Sequence, residues 1–404
     1  MAHISMVMLS PFMYGTERVI MTIADELFRR GHNVDIVIPA LVKDTRVTTL
    51  PKFAELHVLS SKIKRHSLAI TFRKFRLPVY RSKEVEMALS MIPYIIEKKP
   101  DIVFTNSMDG PAEFACHYLK RTMKHFPPIV AILHGIVPSE GAAKSRKAKM
   151  ANSFEAVAVS EGVLQSYKSA GIARPGQGRV IYNPACTPDI GELAKIEPDH
   201  PWLSDGGAPV ILGAGRLEPE KDFSTLIDAF RLIRESRPCR LVILGEGPLR
   251  PELEARIAGL GLEDCVSLHG WVENPFAFMA RSALFVLSSV HEGFGLVLVE
   301  ALACGCPAVS TDCWGGPSEI LEDPALLAPV GDPEALAQVM LRALDRPADK
   351  AALRACAARF SVERAIDDYE ALIADVLARR GLPAMREKGS RCPTPGRTAW
   401  RRSL

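Results

Sequence analysis

Residues 283–307, ALFVLSSVHEGFGLVLVEALACGCP, constrain the fold more than any other stretch of the chain. Ala283 to Leu287 is a short apolar run with β-branched and aromatic members and no polar alternation, as expected of a parallel strand buried on both faces. Gly293 and Gly295 then open a tight turn, Leu296 to Ala303 repeats with a helical period, and Gly305 and Pro307 end the helix. Strand, turn and helix in that order form one unit of a parallel sheet covered by helices. The unit returns at the start of the chain, where strand Ile4 to Leu9 leads through a helix ending at Arg30-Gly31 to strand Val34 to Ile38. It returns again after Pro209. The expected fold class is α/β, with two doubly wound domains whose ligands lie at the carboxyl ends of strands.

Two carboxylates bracket the central helix. Glu292 stands at its mouth and Glu300 eight residues on, a rise of roughly 12 Å if the whole segment is helical at ~1.5 Å per residue. The glycines between them let backbone N–H groups approach an anion at the positive end of the helix.

Composition narrows the class. A chain of 404 residues, 48% hydrophobic, can bury two cores, and a net charge of +3 gives no reason to expect a nucleic-acid partner. Nine cysteines without regular spacing argue for a reducing compartment over a disulfide scaffold, and no spacing among them suits a metal. Met1 to Leu9 lacks the basic start and small-residue cleavage site of a signal peptide, so it reads as a first strand. No run reaches the ~18 apolar residues of a spanning helix. The expectation is a cytoplasmic protein, peripheral on the inner face of the membrane.

Several polar residues fall where parallel strands end. Gly15-Thr16-Glu17-Arg18 follows the first strand, with Thr16 read as a helix cap. His134-Gly135 follows the apolar strand Ile129 to Leu133. Gly215-Arg216 follows Val210 to Leu212, with the second cation Lys221 five residues beyond Arg216. Gly213-x-Gly215 lacks the third glycine of a dinucleotide fingerprint, since Glu218 stands in its place. The segment from Lys62 to Lys83 holds Lys62, Lys64, Arg65, Arg73, Lys74 and Arg76 with no acidic residue, and interleaves them with bulky apolar side chains. That composition fits a solvated basic loop, or a surface for anionic lipid headgroups or an acceptor's pyrophosphate.

The spacing Glu292-x7-Glu300, its Gly293-Phe294-Gly295 interior and the following Gly305-Cys-Pro-Ala-Val-Ser-Thr-Asp312 resemble the E-x7-E signature of family 4 glycosyltransferases, retaining enzymes of the GT-B fold. Gly15-Thr-Glu17-Arg18 is similar to that family's G-G-x-E-R loop, with Tyr14 in place of the first glycine. His134-Gly135, Gly215-Arg216 with Lys221, and the strands at Leu241 and Val266 also resemble family landmarks, and the likeness covers nearly the whole chain. Thr311 to Glu319 looks like the subgroup that handles hexoses or N-acetylhexosamines on lipid-linked carriers.

The resemblance implies an acceptor-binding Rossmann-like domain over 1–190, a linker over 191–208 and a nucleotide-sugar-binding domain over 209–360. A helix over 361–380 crosses back to the first domain, and a disordered tail covers 381–404. It further implies a donor site of Gly15, Gly215, Arg216, Lys221, Glu292, Gly293, Phe294, Gly295 and Glu300. Glu300 takes the ribose hydroxyls, Glu292 the sugar, Arg216 and Lys221 the diphosphate, and His134 lines the reaction centre. The acceptor is a glycan or lipid-linked, and the basic segment lies in the acceptor or membrane region. The chain contains no D-x-D metal motif, so no cofactor and no metal is expected. Two rival readings stand beside this one: a nucleotide-sugar 2-epimerase on a related fold, and a two-lobed sugar-binding protein without chemistry.

Overall fold

The structure is a computed structural model, and it describes residues 1–8, 15–39, 55–59, 91, 93–106, 126–137, 155–173 and 178–381. The basic residues Lys62, Lys64, Arg65, Arg73, Lys74 and Arg76, together with Tyr14 and the tail after residue 381, lie outside the described residues.

Two all-parallel sheets form the frame. The first has seven strands in the order β3-β2-β1-β4-β5-β6-β7: β1 His3–Val7, β2 Asn33–Pro39, β3 Glu55–Leu59, β4 Ile102–Thr105, β5 Ile129–Leu133, β6 Glu155–Ala158 and β7 Arg179–Val180. The second has six in the order β10-β9-β8-β11-β12-β13: β8 Val210–Ala214, β9 Arg240–Leu244, β10 Val266–Gly270, β11 Leu284–Leu287, β12 Ala308–Thr311 and β13 Leu327–Ala328. Strands β4, β5, β8 and β11 are buried along their whole length, as a sheet covered on both faces requires. The strand order reverses between β1 and β4 in one lobe and between β8 and β11 in the other, and a doubly wound sheet opens its ligand crevice at that point.

Helix α1, Gly15–Arg29, buries Val19, Ile20, Ile23, Ala24 and Leu27 at helical spacing and leaves its charges outside. Thr16, expected to cap it, lies inside its first turn. Helix α2 is Glu161–Ser169, α3 is Phe223–Arg234, α4 is Leu296–Ala303, α5 is Pro317–Leu321 and α6 is Val362–Ala378. Helix α4 coincides with the run read from the sequence, but Glu292 stands in the turn ahead of it. The helical rise therefore applies only to the second half of the interval between the two glutamates.

Helix α6 returns to the first lobe. Its Tyr369, Leu372, Ile373, Val376 and Leu377 are at most 3% exposed, and Tyr369 meets Phe104 of β4 edge-on with ring centroids 6.0 Å apart. Around that face run ion pairs from Arg30 to Glu370 at 2.7 Å, Arg179 to Asp375 at 2.5 Å and Arg379 to Glu155 at 2.8 Å. A fully buried side chain of this size contributes about 1.5–3 kcal/mol, whereas an exposed ion pair contributes about 0–1 kcal/mol. The apolar face therefore fastens the helix, and the ion pairs orient it.

The chain passes between the lobes twice, and the two passages lie side by side. The Cys186 N–H donates to the Phe360 carbonyl at 3.0 Å, and Cys186 forms a parallel bridge with Ser361. Residues 187–207 lack a sustained period, yet they hold a short helix, Ile190–Leu193, and a 3-10 turn, Pro201–Leu203. They are fastened to the second lobe: Asn274 donates to the Leu193 carbonyl at 2.9 Å, and Arg281 donates to the Ala194 and Ile196 carbonyls at 3.1 and 2.9 Å.

Candidate active site in the interdomain cleft

The site grows from the ends of β8 and β11, the two strands that flank the switch point of the second lobe. Past β8, Gly215 leads to Arg216, and a 3-10 turn over Pro219–Lys221 carries Lys221 back under the end of β11. The tie is made of hydrogen bonds: Ser288 donates to the Lys221 carbonyl at 2.8 Å, and the Val290 N–H to the Glu220 carbonyl at 2.9 Å. Lys221 Nζ then lies 2.5 Å from Glu292 Oε1, and the Ser289 hydroxyl donates to the same oxygen at 2.7 Å. Both hydrogen bonds fall on the same oxygen of Glu292. Both side chains are largely buried, at 20% and 11% exposure, which strengthens their attraction over that of a surface pair.

Arg216 is disposed differently. It is half exposed and reaches Glu218 at 2.7 Å and Glu220 at 3.2 Å. Lys221, by contrast, is seated in the crevice beside Glu292.

The turn after Glu292 carries the second lobe onto the first. A Cβ added to Gly293 would overlap the His134 carbonyl oxygen and stand 2.9 Å from its carbon, so backbone rests on backbone across the cleft. From the other side Gly315, at φ +125°, packs against the Glu292 carbonyl just as closely, and the Glu292 N–H donates to the Trp314 carbonyl at 3.0 Å. Gly15, the first residue of α1, faces the first residue of α4: an added Cβ would stand 3.3 Å from Leu296 Cδ1. The N-terminus of each lobe's helix therefore opens into the same space, where N–H groups and the helix dipoles favour an anion.

His134 closes the far side. Its Nε2 is buried and has no hydrogen-bond partner among the described residues, and burial lowers its pKa from 6.5 to about 4. The ring is neutral at physiological pH. The linkage has a definite sign. Below pH 6.5 the unfolded chain takes up a proton that the folded chain refuses until about pH 4, so stability falls as pH drops through that window, by at most about 1.4 kcal/mol per pH unit. Denaturation midpoints followed from pH 7 to pH 4 will fall less steeply in His134→Asn than in the parent. Parallel curves would show that the ring is charged in the folded protein.

Two other expected donor residues are placed otherwise. Phe294 is 3% exposed and belongs to an aromatic cluster with Tyr182 and Phe360, centroids 5.7 and 5.3 Å away, so only its backbone can face a ligand. Glu300 is also 3% exposed, and its carboxylate is taken by the Arg18 guanidinium from α1 of the other lobe. Burial raises the Glu300 pKa, and Arg18 offsets part of that rise. The Arg18 side chain itself is 45% exposed. Among the described residues no group of three or more His, Cys, Asp or Glu side chains could hold a metal, and no helix is long and apolar enough to cross a membrane.

Comparison with known proteins identifies the family. The profile described as Glycosyltransferase Family 4 matches residues 13–187, and the one described as Glycosyl transferases group 1 matches residues 208–346. The chain belongs to glycosyltransferase family 4. Among its relatives is "N-acetylgalactosamine-N,N'-diacetylbacillosaminyl-diphospho-undecaprenol 4-alpha-N-acetylgalactosaminyltransferase" of Campylobacter jejuni, 37% identical over 164 residues, 41% of this chain and 43% of that one. Another is the lipopolysaccharide core biosynthesis glycosyltransferase LpsD of Rhizobium meliloti, 34% identical over 178 residues, 42% of this chain and 51% of that one. The chain thus spans about half the length, or less, of these curated relatives. The crystal structure of Anabaena Alr3699/HepE in complex with UDP shares the fold, with a TM-score of 0.73 at 22% identity over 92% of this chain and 100% of that one.

Four residues that fasten these elements to one another carry weaker signs in the sequence. Ser289 is one of them, and its signal was its place three residues ahead of Glu292. Arg18, Ser160 and Glu319 make contacts across 282, 133 and 157 residues of chain, and no local period reports contacts of that length.

Proposed function

We propose that this protein is a retaining glycosyltransferase that moves a hexose or N-acetylhexosamine from a nucleotide-diphospho-sugar, a UDP-sugar first among candidates, to a glycan or lipid-linked acceptor in cell-envelope glycan synthesis. The observation that carries the reading is the Lys221–Glu292 pair seated at the switch point and facing His134 across a backbone contact. Membership of family 4, with relatives named for transfer to an undecaprenol-linked glycan and for lipopolysaccharide core synthesis, supports the acceptor class. The basic residues between Lys62 and Lys83 are the proposed acceptor or membrane surface.

In this reading the bond between the anomeric carbon and the diphosphate oxygen breaks while Lys221, Arg216 and the N-termini of α1 and α4 receive the charge that develops on the leaving group. Preorganised positive groups of this kind make the largest contribution in many transfer reactions, and they supply what a bound metal supplies elsewhere. Glu292, with one oxygen fixed by Lys221 and Ser289, is suited to hold a sugar hydroxyl. The acceptor hydroxyl enters on the face the diphosphate leaves, a phosphate oxygen takes its proton, and the configuration is kept. Incubation with a panel of UDP-sugars and a lipid-linked acceptor in EDTA should release one nucleoside diphosphate per transfer and give an α-linked product by NMR. A β-linked product, a C2 epimer, or loss of activity restored by Mn²⁺ each rejects the corresponding part of the proposal.

A further inference from the structure

One helix end of the first lobe grips the second lobe at two points. The N–H groups of Glu161 and Gly162, the first two residues of α2, donate to the two carboxylate oxygens of Glu319 on α5, each at 2.9 Å. Tyr182 of the first lobe also hydrogen-bonds Glu319, and burial together with that carboxylate pushes its pKa up to about 12. Ser160, the N-cap of α2, accepts from the Val163 N–H at 3.1 Å and donates its hydroxyl to the Gly293 carbonyl at 2.8 Å. Helix N-termini leave N–H groups without intrahelical partners and carry the positive end of the helix dipole. Here those groups are satisfied by the other lobe.

The grip is connected to the reaction centre. Helix α5 follows Gly315 directly, a Cβ on Gly162 would stand 2.7 Å from the Gly315 carbonyl oxygen, and the Glu292 N–H donates to the Trp314 carbonyl just before it. Glu319, the Trp314–Gly315 backbone and Glu292 are therefore joined by direct contacts beside the end of β5 that carries His134. A bidentate carboxylate fixes orientation as well as distance, because both oxygens must leave their N–H partners together.

We propose that Glu319 is a positioning residue for the transfer reaction: by docking on the N-terminus of α2 it holds Glu292 and Gly293 against the His134 strand end, so that closing the cleft and assembling the donor-sugar site are one event. The proposal rests on the preceding reading of Glu292 and His134 as the sugar side of the site. It assigns Glu319 no contact with substrate.

The test uses the full chain with Glu319→Gln and Glu319→Ala. Gln keeps one acceptor and turns an N–H toward an N–H; Ala removes both acceptors. Amide hydrogen exchange at 161–162, measured without substrate, should rise about 10-fold in the Gln variant and more in the Ala variant, while the strands of both lobes keep their protection. Turnover should fall in the same order, about 10-fold and about 10²-fold, as loss of positioning produces, with the KM for donor changed less because the proposed diphosphate contacts of Lys221 and Arg216 lie within the second lobe. Parental exchange at 161–162 in both variants overturns the grip itself. Faster exchange with unchanged turnover overturns its role in positioning and leaves a structural contact only. A parent protein that transfers no sugar rejects the functional reading, and the exchange measurement still decides whether the grip exists.

Discussion

Replacing Lys221 by alanine lowers turnover by about 10²- to 10³-fold, the loss that follows removal of one preorganised charge-stabilising group. Two effects combine. The leaving diphosphate loses a cation, and Glu292 loses the partner that holds one of its oxygens at 2.5 Å. Ser289 still donates to that oxygen at 2.7 Å, so the carboxylate is loosened without being orphaned and the lobe stays folded. Arg216→Ala costs less, about 10²-fold, because Arg216 starts half exposed and paired with Glu218 and Glu220. Steady-state kinetics with saturating donor separate the two variants. Turnover of Lys221→Ala within threefold of the parent would remove Lys221 from the site.

Gly293→Ala produces a loss of the same size by a different route. The added methyl has no space beside the His134 carbonyl, and the obstacle is backbone, which no rotamer change relieves. Gly293 and His134 belong to different lobes, so the least costly relief is for the cleft to stay open. We expect turnover to fall by about 10²-fold or more, since displacement of a reacting group by about 1 Å costs that much, while the thermal transition of the protein moves little. Gly259→Ala, at the last residue of the helix Arg250–Gly259, is the control: a Cβ there meets nothing within 4 Å, and the change should be close to neutral. Full activity in Gly293→Ala would mean that the lobes need not meet at this point during the reaction.

The parts legible in the sequence are those written in local chemistry. Short apolar runs such as Ile129–Leu133 and Leu284–Leu287 read as buried parallel strands because a strand covered on both faces has no polar alternation. Leu296–Ala303 was legible because Gly295 starts it and Gly305 ends it. The strand ends that carry His134, Arg216 and Glu292 were legible from topology, and the roles of these residues from their resemblance to family motifs. What stayed hidden was decided between lobes. Glu300 has the same sequence context whether it faces a ribose or an arginine, and only the packing of α1 against α4 brings Arg18 to it. Phe294 sits between two glycines, which suggests exposure, yet Tyr182 and Phe360 arrive from distant segments to bury it. The order within residues 187–207 was hidden because it comes from carbonyls bound by Asn274 and Arg281, a backbone pattern no side-chain period records.

The paired passages between the lobes set the kind of motion available to them. A single crossing would act as a swivel, and two separated crossings as a frame that resists bending. Cys186 and Ser361, bridged side by side and joined by the bond from the Cys186 N–H to the Phe360 carbonyl, make a short two-ply strap. Such a strap bends easily about one line and resists both twisting and sliding. We expect opening of the cleft to follow that one line, so that closure brings Glu292 back to the same register opposite His134.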